Sequence, residues 1–152
     1  MPEQTIYKHW FGAFIIFLTG GGVMSALLYL VWFVPFDDDR LNIMLLGFII
    51  LIGLYTTVAL YVYTLNKITL NKSGIEYTKY TTLFYSTVSE ADWNTVQSID
   101  VRQSGIFAKL LGFGDLLVQT ADQRPNLGMT NISDVYRWKK YVDDNATFGA
   151  VA

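Results

Sequence analysis

The sequence predicts a membrane α-helical hairpin that carries a small, mostly β domain, a bent antiparallel sheet closed by one C-terminal helix. Three observations support this. Two long runs, Trp10 to Phe36 and Leu41 to Asn66, contain no charged residue. After Leu65 the texture changes to short alternating stretches separated by turn residues. In the last segment Val135, Trp138 and Val142 recur at i, i+3 and i+7, the spacing of one helical face.

At about 1.5 Å per residue, some 20 apolar residues cross a hydrocarbon core of about 30 Å, and both runs exceed that. The spacing predicts helices over about 11–34 and 42–64, within a hairpin spanning 10–65. The chain is 52% hydrophobic and 16% charged, whereas a soluble domain carries about 25% charged residues. Burial inside a soluble protein is a poor alternative, because both runs are apolar on every face and little chain remains to cover them. A cleaved leader would have an apolar stretch of about 7–15 residues before a small-residue site. The first run is longer, and Val31-Trp32-Phe33 is a poor cleavage context.

Between the runs, Pro35-Phe36-Asp37-Asp38-Asp39-Arg40 fits only a tight connection. Lys8 precedes the first run, and Lys67, Lys72 and Lys79 follow the second, whereas the connection offers Arg40 beside three aspartates. By the positive-inside rule both termini are expected in the cytoplasm. Trp10, Trp32, Tyr61 and Tyr63 sit where interfacial aromatics gather. Gly20, Gly21, Gly22 and Ser25 form a small-residue patch on the first helix, and Gly47 and Gly53 a lesser one on the second. Such residues let helices approach closely in lipid. They can serve packing within the hairpin, contact with another membrane subunit, or self-association. No ionisable residue interrupts either run, which argues against a proton or ion path.

Residues 1–9 are read as a cytoplasmic N-terminal segment, 66–145 as the domain, and 146–152 as a flexible tail. Ile68 and Leu70, the turn Asn71-Lys72-Ser73-Gly74, then Ile75, Tyr77 and Tyr80 predict a β-hairpin. Thr81 to Ser89 is rich in β-favouring residues. Val96, Ile99 and Val101 predict another strand, and Leu116 to Thr120 and Gly128 to Thr130 two more, separated by the polar stretch Ala121 to Asn126. Ser133 is the expected N-cap of the final helix. Gly112 and Gly114 are expected to reverse the chain with positive φ and turn Phe113 into the core. Ile106, Phe107, Leu110 and Leu111 are expected to form an apolar turn of helix capping an open end of the sheet.

The stretch Trp93-Asn94-Thr95-Val96-Gln97-Ser98-Ile99, followed by Gln103-Ser104-Gly105-Ile106-Phe107-Ala108-Lys109-Leu110-Leu111-Gly112-Phe113-Gly114-Asp115-Leu116-Leu117-Val118-Gln119-Thr120, resembles the bacterial PH-like membrane-flanked domain family. Gly105, Leu110, Leu111, Gly112, Phe113 and Gly114 carry the structural motif, and the preceding helix pair matches the family layout. The sequence departs from some members in having a single membrane-flanked unit, and in lacking a proline before the Val96–Ile99 strand. The resemblance implies a PH-like fold at the bacterial cytoplasmic membrane.

Residues with chemical potential are few. With no cysteine, thiol catalysis and thiolate metal sites are excluded. His9 is the only histidine and reads as an interfacial contact. Asp37-Asp38-Asp39 and Asp143-Asp144 read as solvated carboxylates. A phosphate-cradling role for the glycines is disfavoured, because a strand follows them and not a helix N-terminus. No catalytic, cofactor-binding or metal-binding set emerges, and the expectation is a non-enzymatic protein. From Leu65 onward nine basic residues balance nine acidic ones, which disfavours nucleic-acid binding.

The expected role is a membrane-anchored binding or scaffold protein, an accessory or assembly subunit of a larger membrane complex. An energy-transducing complex is suggested by analogy with photosynthetic-complex assembly factors that combine a helix pair with a small domain. The alternative is anionic-lipid binding or an envelope-stress role through the PH-like domain. Tyr77, Tyr80, Phe84 and Tyr85, with Arg137, Lys139 and Lys140, are the candidate contacts to a protein partner or to membrane lipids.

Overall fold

The computed structural model describes residues 3–33, 39–121 and 127–146. The connection at 34–38, most of the polar stretch after Ala121, and the tail from 147 lie outside the described residues. The chain divides into two compact units, Trp10–Tyr63 and a β unit that joins Met1–His9 to Thr64–Ala152.

The first unit is the helix pair α1 (Trp10–Phe33) and α2 (Asp39–Leu65). Both are long and apolar enough to cross a membrane. In α1 no residue is buried, and in α2 only Ile49 and Thr56 are, among the described residues. A helix that is apolar all round and almost wholly exposed has no stable place in water. The pair runs antiparallel, with Gly12 against Tyr63, Gly20 against Thr56 and Gly53 close to Met24. The hydroxyls of Thr19, Thr56 and Thr57 each donate to a carbonyl one turn earlier, at 2.8–2.9 Å from residues 15, 52 and 53. Intrahelical pairing of this kind satisfies polar groups where water is absent.

The second unit contains two antiparallel sheets where one bent sheet was expected. The first sheet has the order β1 (Gln4–Tyr7), β2 (Lys67–Leu70), β3 (Gly74–Tyr80), β4 (Ser86–Asp92). The second has the order β5 (Val96–Arg102), β6 (Phe113–Thr120), β7 (Leu127–Ser133). A six-residue helix, α3 (Ile106–Leu111), joins β5 to β6, and α4 (Val135–Asn145) follows β7. The strand expected over Thr81–Ser89 begins only at Ser86, because residues 81–85 close a turn first. Ser133 is not the N-cap of the last helix. It ends β7, and Asp134 takes the cap position in a left-handed conformation, φ 50°.

The N-terminal segment is part of this domain. β1 pairs in register with β2, from Gln4 opposite Leu70 to Tyr7 opposite Lys67. The helical hairpin is therefore an insertion between two neighbouring strands of one sheet. Beyond β1, Lys8 bridges Ile132 of β7, and the His9 N–H donates to the Asn131 carbonyl. The β6–β7 register shifts between Gly114 and Leu116, where Thr130 and Asn131 of β7 (Asn131 at φ 57°) stand opposite Asp115 alone, and this bends the ladder there. Asp115 Oδ1 accepts from the Asn131 N–H at 3.0 Å.

The core lies between the sheets and α4. Ile6, Ile68, Leu70 and Ile75 come from the first sheet, Ile99, Leu116, Val118, Met129 and Ile132 from the second, and Val135 and Val142 from α4. Trp93, in a short turn of helix between the sheets, is buried and donates its indole N–H to the Asn71 carbonyl at 3.0 Å.

Ile6 is only 1% exposed, so truncation to alanine leaves a cavity that costs about 2–5 kcal/mol. Ile6→Ala is expected to lower the protection of β2 and β3 amides in hydrogen exchange on the full chain in detergent. The helices should be unaffected. Equal protection in variant and parent would show that β1 is not part of the cooperative core.

Candidate functional site

β2 leaves α2 at Lys67 and β1 runs into α1 after Tyr7, so both covalent connections depart from one end of the β domain. Strand register brings two further connections to that end. β3 runs back alongside β2, and its last residue, Tyr80, donates its N–H to Asn66 Oδ1 at 2.9 Å. The turn at 81–85 follows at once. The N–H groups of Thr81 and Thr82 donate to the Tyr85 carbonyl at 3.0 and 3.4 Å, and the Tyr85 N–H donates to Thr82 Oγ1 at 3.1 Å. With its backbone closed on itself, this turn holds Phe84 at its tip, 98% exposed.

The second connection is α3. Gly105 (φ 92°) and Gly112 (φ 71°) bracket it, each in a region that L side chains rarely adopt. Gln103 Nε2 donates to the carbonyls of Ala108, inside the helix, and Phe113, at the start of β6, at 3.4 and 3.1 Å, bridging the helix to the strand that follows it. Ala108 is the buried contact. Ile106 is 82% exposed and Leu110 76%, with Phe107 exposed as well. The expected apolar cap is thus not buried. A six-residue helix fixed through a small alanine cannot also turn its large side chains inward.

Phe113 does turn into the domain, and its ring stacks on His9 with centroids 5.1 Å apart. Of the two glycines flanking it, only Gly112 has positive φ. Gly114 lies in β6, where an added Cβ would press on the Arg102 carbonyl, Gln103 and Val135. Close packing, and not chain reversal, is what Gly114 provides.

Several charged groups gather near this stack. Burial, reinforced by the neighbouring Lys79, lowers the Lys8 pKa below the usual lysine range, while Asp115 pulls it back up. Burial also lowers the His9 pKa, against the opposing charge of Asp134.

The sequence-derived contact residues separate into groups. Tyr77 is a core residue whose phenol burial pushes upward in pKa, so it is not available to a partner. Tyr80 is half-buried, while Phe84 and Tyr85 are exposed. Arg137 and Lys140 are exposed on α4 and Lys139 is half-exposed. The Arg137 guanidinium sits 5.6 Å from the Trp138 ring, and Lys139 approaches Asp143 at 3.9 Å. In the hairpin, Gly20 and Gly53 face the opposite helix. Among the described residues, nothing lies within 4 Å of where a Cβ would stand on Gly21, Gly22 or Gly47, and Ser25 is exposed. No group of three His, Asp or Glu residues able to hold a metal occurs among the described residues.

Sequence reasoning missed Asn66, Gln103 and Asp115. Asn66 and Asp115 pair with residues 14 and 16 positions away in other strands, and Gln103 bonds backbone carbonyls, which carry no sequence mark. No family model, curated protein or solved structure matches this chain.

The lowered His9 pKa has a sign. An unfolded chain binds a proton at His9 before the folded one does, so the domain loses stability as pH falls through about 6.5, the ordinary histidine value. His9→Phe keeps an aromatic ring on Phe113 and removes the titration. Its denaturation midpoint in detergent should change less between pH 7.5 and 5.5 than that of the parent (about two pH units, spanning the histidine range). Identical pH profiles would show that His9 does not contribute this sensitivity.

Proposed function

We propose that this chain is a non-enzymatic, membrane-anchored PH-like binding or scaffold protein, an accessory or assembly subunit of a larger membrane complex. The observation that carries this reading is the division of small residues in the hairpin. Gly20 and Gly53 are consumed by packing between α1 and α2, but Gly21, Gly22, Ser25 and Gly47 leave open faces. In lipid, helices associate through close backbone approach at such residues. A four-stranded and a three-stranded antiparallel sheet closed by a C-terminal helix supports the PH-like reading. β4 is an edge strand with an exposed outer row that includes Val88, a surface to which an extended peptide can add.

The membrane placement rests on the two apolar helices and the charge bias around them. Cleavage after α1 would strip β1, with the buried Ile6, from the domain core, which favours retention of the first helix. On this reading the hairpin crosses the bacterial cytoplasmic membrane twice, with both termini inside. A second reading, anionic-lipid binding through the β domain, is favoured by the exposed Arg137 and Lys140 on α4. Each basic residue near an anionic surface contributes about 1 kcal/mol.

Gentle detergent extraction of the full chain, followed by sizing and identification of co-purifying chains, tests the subunit reading. A membrane partner in fixed ratio is expected. Gly22→Ile and Gly47→Ile should release it while leaving the circular dichroism of the chain unchanged. By contrast, Gly20→Ile, which clashes with Thr56, should disturb the hairpin itself. A monomer whose size ignores the outward-facing substitutions would sink the proposal.

A further inference from the structure

The end of the β domain from which both connections to the helices leave carries two exposed apolar projections, and we infer that both insert into the headgroup–acyl boundary of a bilayer, seating the domain on the lipid surface. The inference rests on the reading that α1 and α2 cross a bilayer. It goes beyond anchoring by the helices and beyond a charge contact through α4, because it assigns apolar insertion to the turn at 81–85 and to α3.

Each projection is held beside a residue that is covalently adjacent to a span. Asn66 directly follows α2, and its side chain fixes Tyr80, the residue before the turn at 81–85. His9 directly precedes α1, and its ring stacks on Phe113, two residues after the end of α3. α3 is about 9 Å long, so this path leaves its apolar side chains little distance from the bilayer boundary. The spans start in the chain at Trp10 and end at Leu65, so these two tethers hold the projections to the residues that flank them.

The side chains displayed suit that boundary. Phe84 at the tip of the turn, flanked by Leu83 and Tyr85, and Ile106 and Leu110 on one side of α3 are large and exposed. Both projections are closed structures whose backbones are hydrogen-bonded, so their exposure is a fixed feature of the fold. The same end carries Lys8, Lys67, Lys79, Arg102 and Lys109 against Asp115 and Asp134. A basic rim around apolar points matches an anionic interface, where rings and aliphatic groups enter and lysines reach the headgroups. A protein cover would not require the projections to be tethered to the residues that flank the two spans, and a lipid seat does.

The chain has no cysteine, so single reporters can be placed without removing any. Phe84→Cys and Leu110→Cys report the two projections, Val23→Cys the middle of α1, and Lys72→Cys the β2–β3 turn at the opposite end of the domain. Each full-length variant is labelled with an environment-sensitive NBD dye and reconstituted in phosphatidylcholine–phosphatidylglycerol liposomes. Quenching by shallow and deep doxyl-labelled lipids is then compared. Positions 84 and 110 should be blue-shifted and quenched more by the shallow label, position 23 more by the deep label, and position 72 by neither. Water-like emission at 84 and 110 with position 23 quenched overturns the inference and leaves the spanning reading intact. A blue shift without lipid quenching means that protein covers the projections, and also overturns it. Quenching at only one projection overturns the two-point seat. An unquenched position 23 shows that the spanning reading itself has failed, and the inference with it.

Discussion

The β1–β2 ladder is the interaction on which the rest of the structure depends. Tyr7 and Lys67 are opposite one another in register, yet the entire helical hairpin lies between them in the chain. Closing a flexible loop of that length costs on the order of 4 kcal/mol, from a term that grows as (3/2)RT ln n. A hairpin already formed holds its two ends near each other and removes most of that cost. Hairpin formation and sheet formation are thus coupled. The helices bring β1 to β2, and β1 delivers Ile6 to the core.

From that ladder the second sheet is reached through very few residues. Lys8 and His9 continue past β1 to meet β7 at Ile132 and Asn131. They can do so because the bend opposite Asp115 turns Asn131 out of the regular ladder, with the Asp115 carboxylate satisfying its N–H. His9 then stacks on Phe113, which fixes the start of β6 and, through Gln103, the position of α3. α3 inherits its placement from this short chain of contacts, whereas the turn at 81–85 takes its own from the bond between Asn66 and Tyr80.

What the sequence reveals follows from which signals are local. The helices are legible because an uncharged run of that length has few alternatives. The β2–β3 hairpin is legible from Asn71-Lys72-Ser73-Gly74 between alternating residues, and α4 from the spacing of Val135, Trp138 and Val142. β1 is not, because Gln4-Thr5-Ile6-Tyr7 is four residues long and its partner lies beyond both helices. The Phe113 stack on His9 has no local mark for the same reason. The apolar residues of α3 suggest a buried cap because in water they should be buried, and hydropathy alone does not distinguish a core from a lipid-facing surface. Tyr77 and Phe84 are both aromatic residues in a β-rich stretch. Only the register of β3, which turns Tyr77 inward, and the turn before β4, which lifts Phe84 away, tell them apart. Ser133 has the chemistry of a good cap, but the left-handed Asp134 ends the strand one residue later.

Insertion of the hairpin between adjacent strands also determines how mechanical load reaches the domain. Each helix pulls on one of two antiparallel neighbours, and both pull at the same end. Spreading the two helices apart therefore opens the β1–β2 ladder from Tyr7 and Lys67 one bond pair at a time, as a zipper opens. A zipper yields at far lower force than a ladder sheared along its length, where all bonds resist together. Helix spacing and integrity of the β core are thereby two readings of one mechanical coordinate.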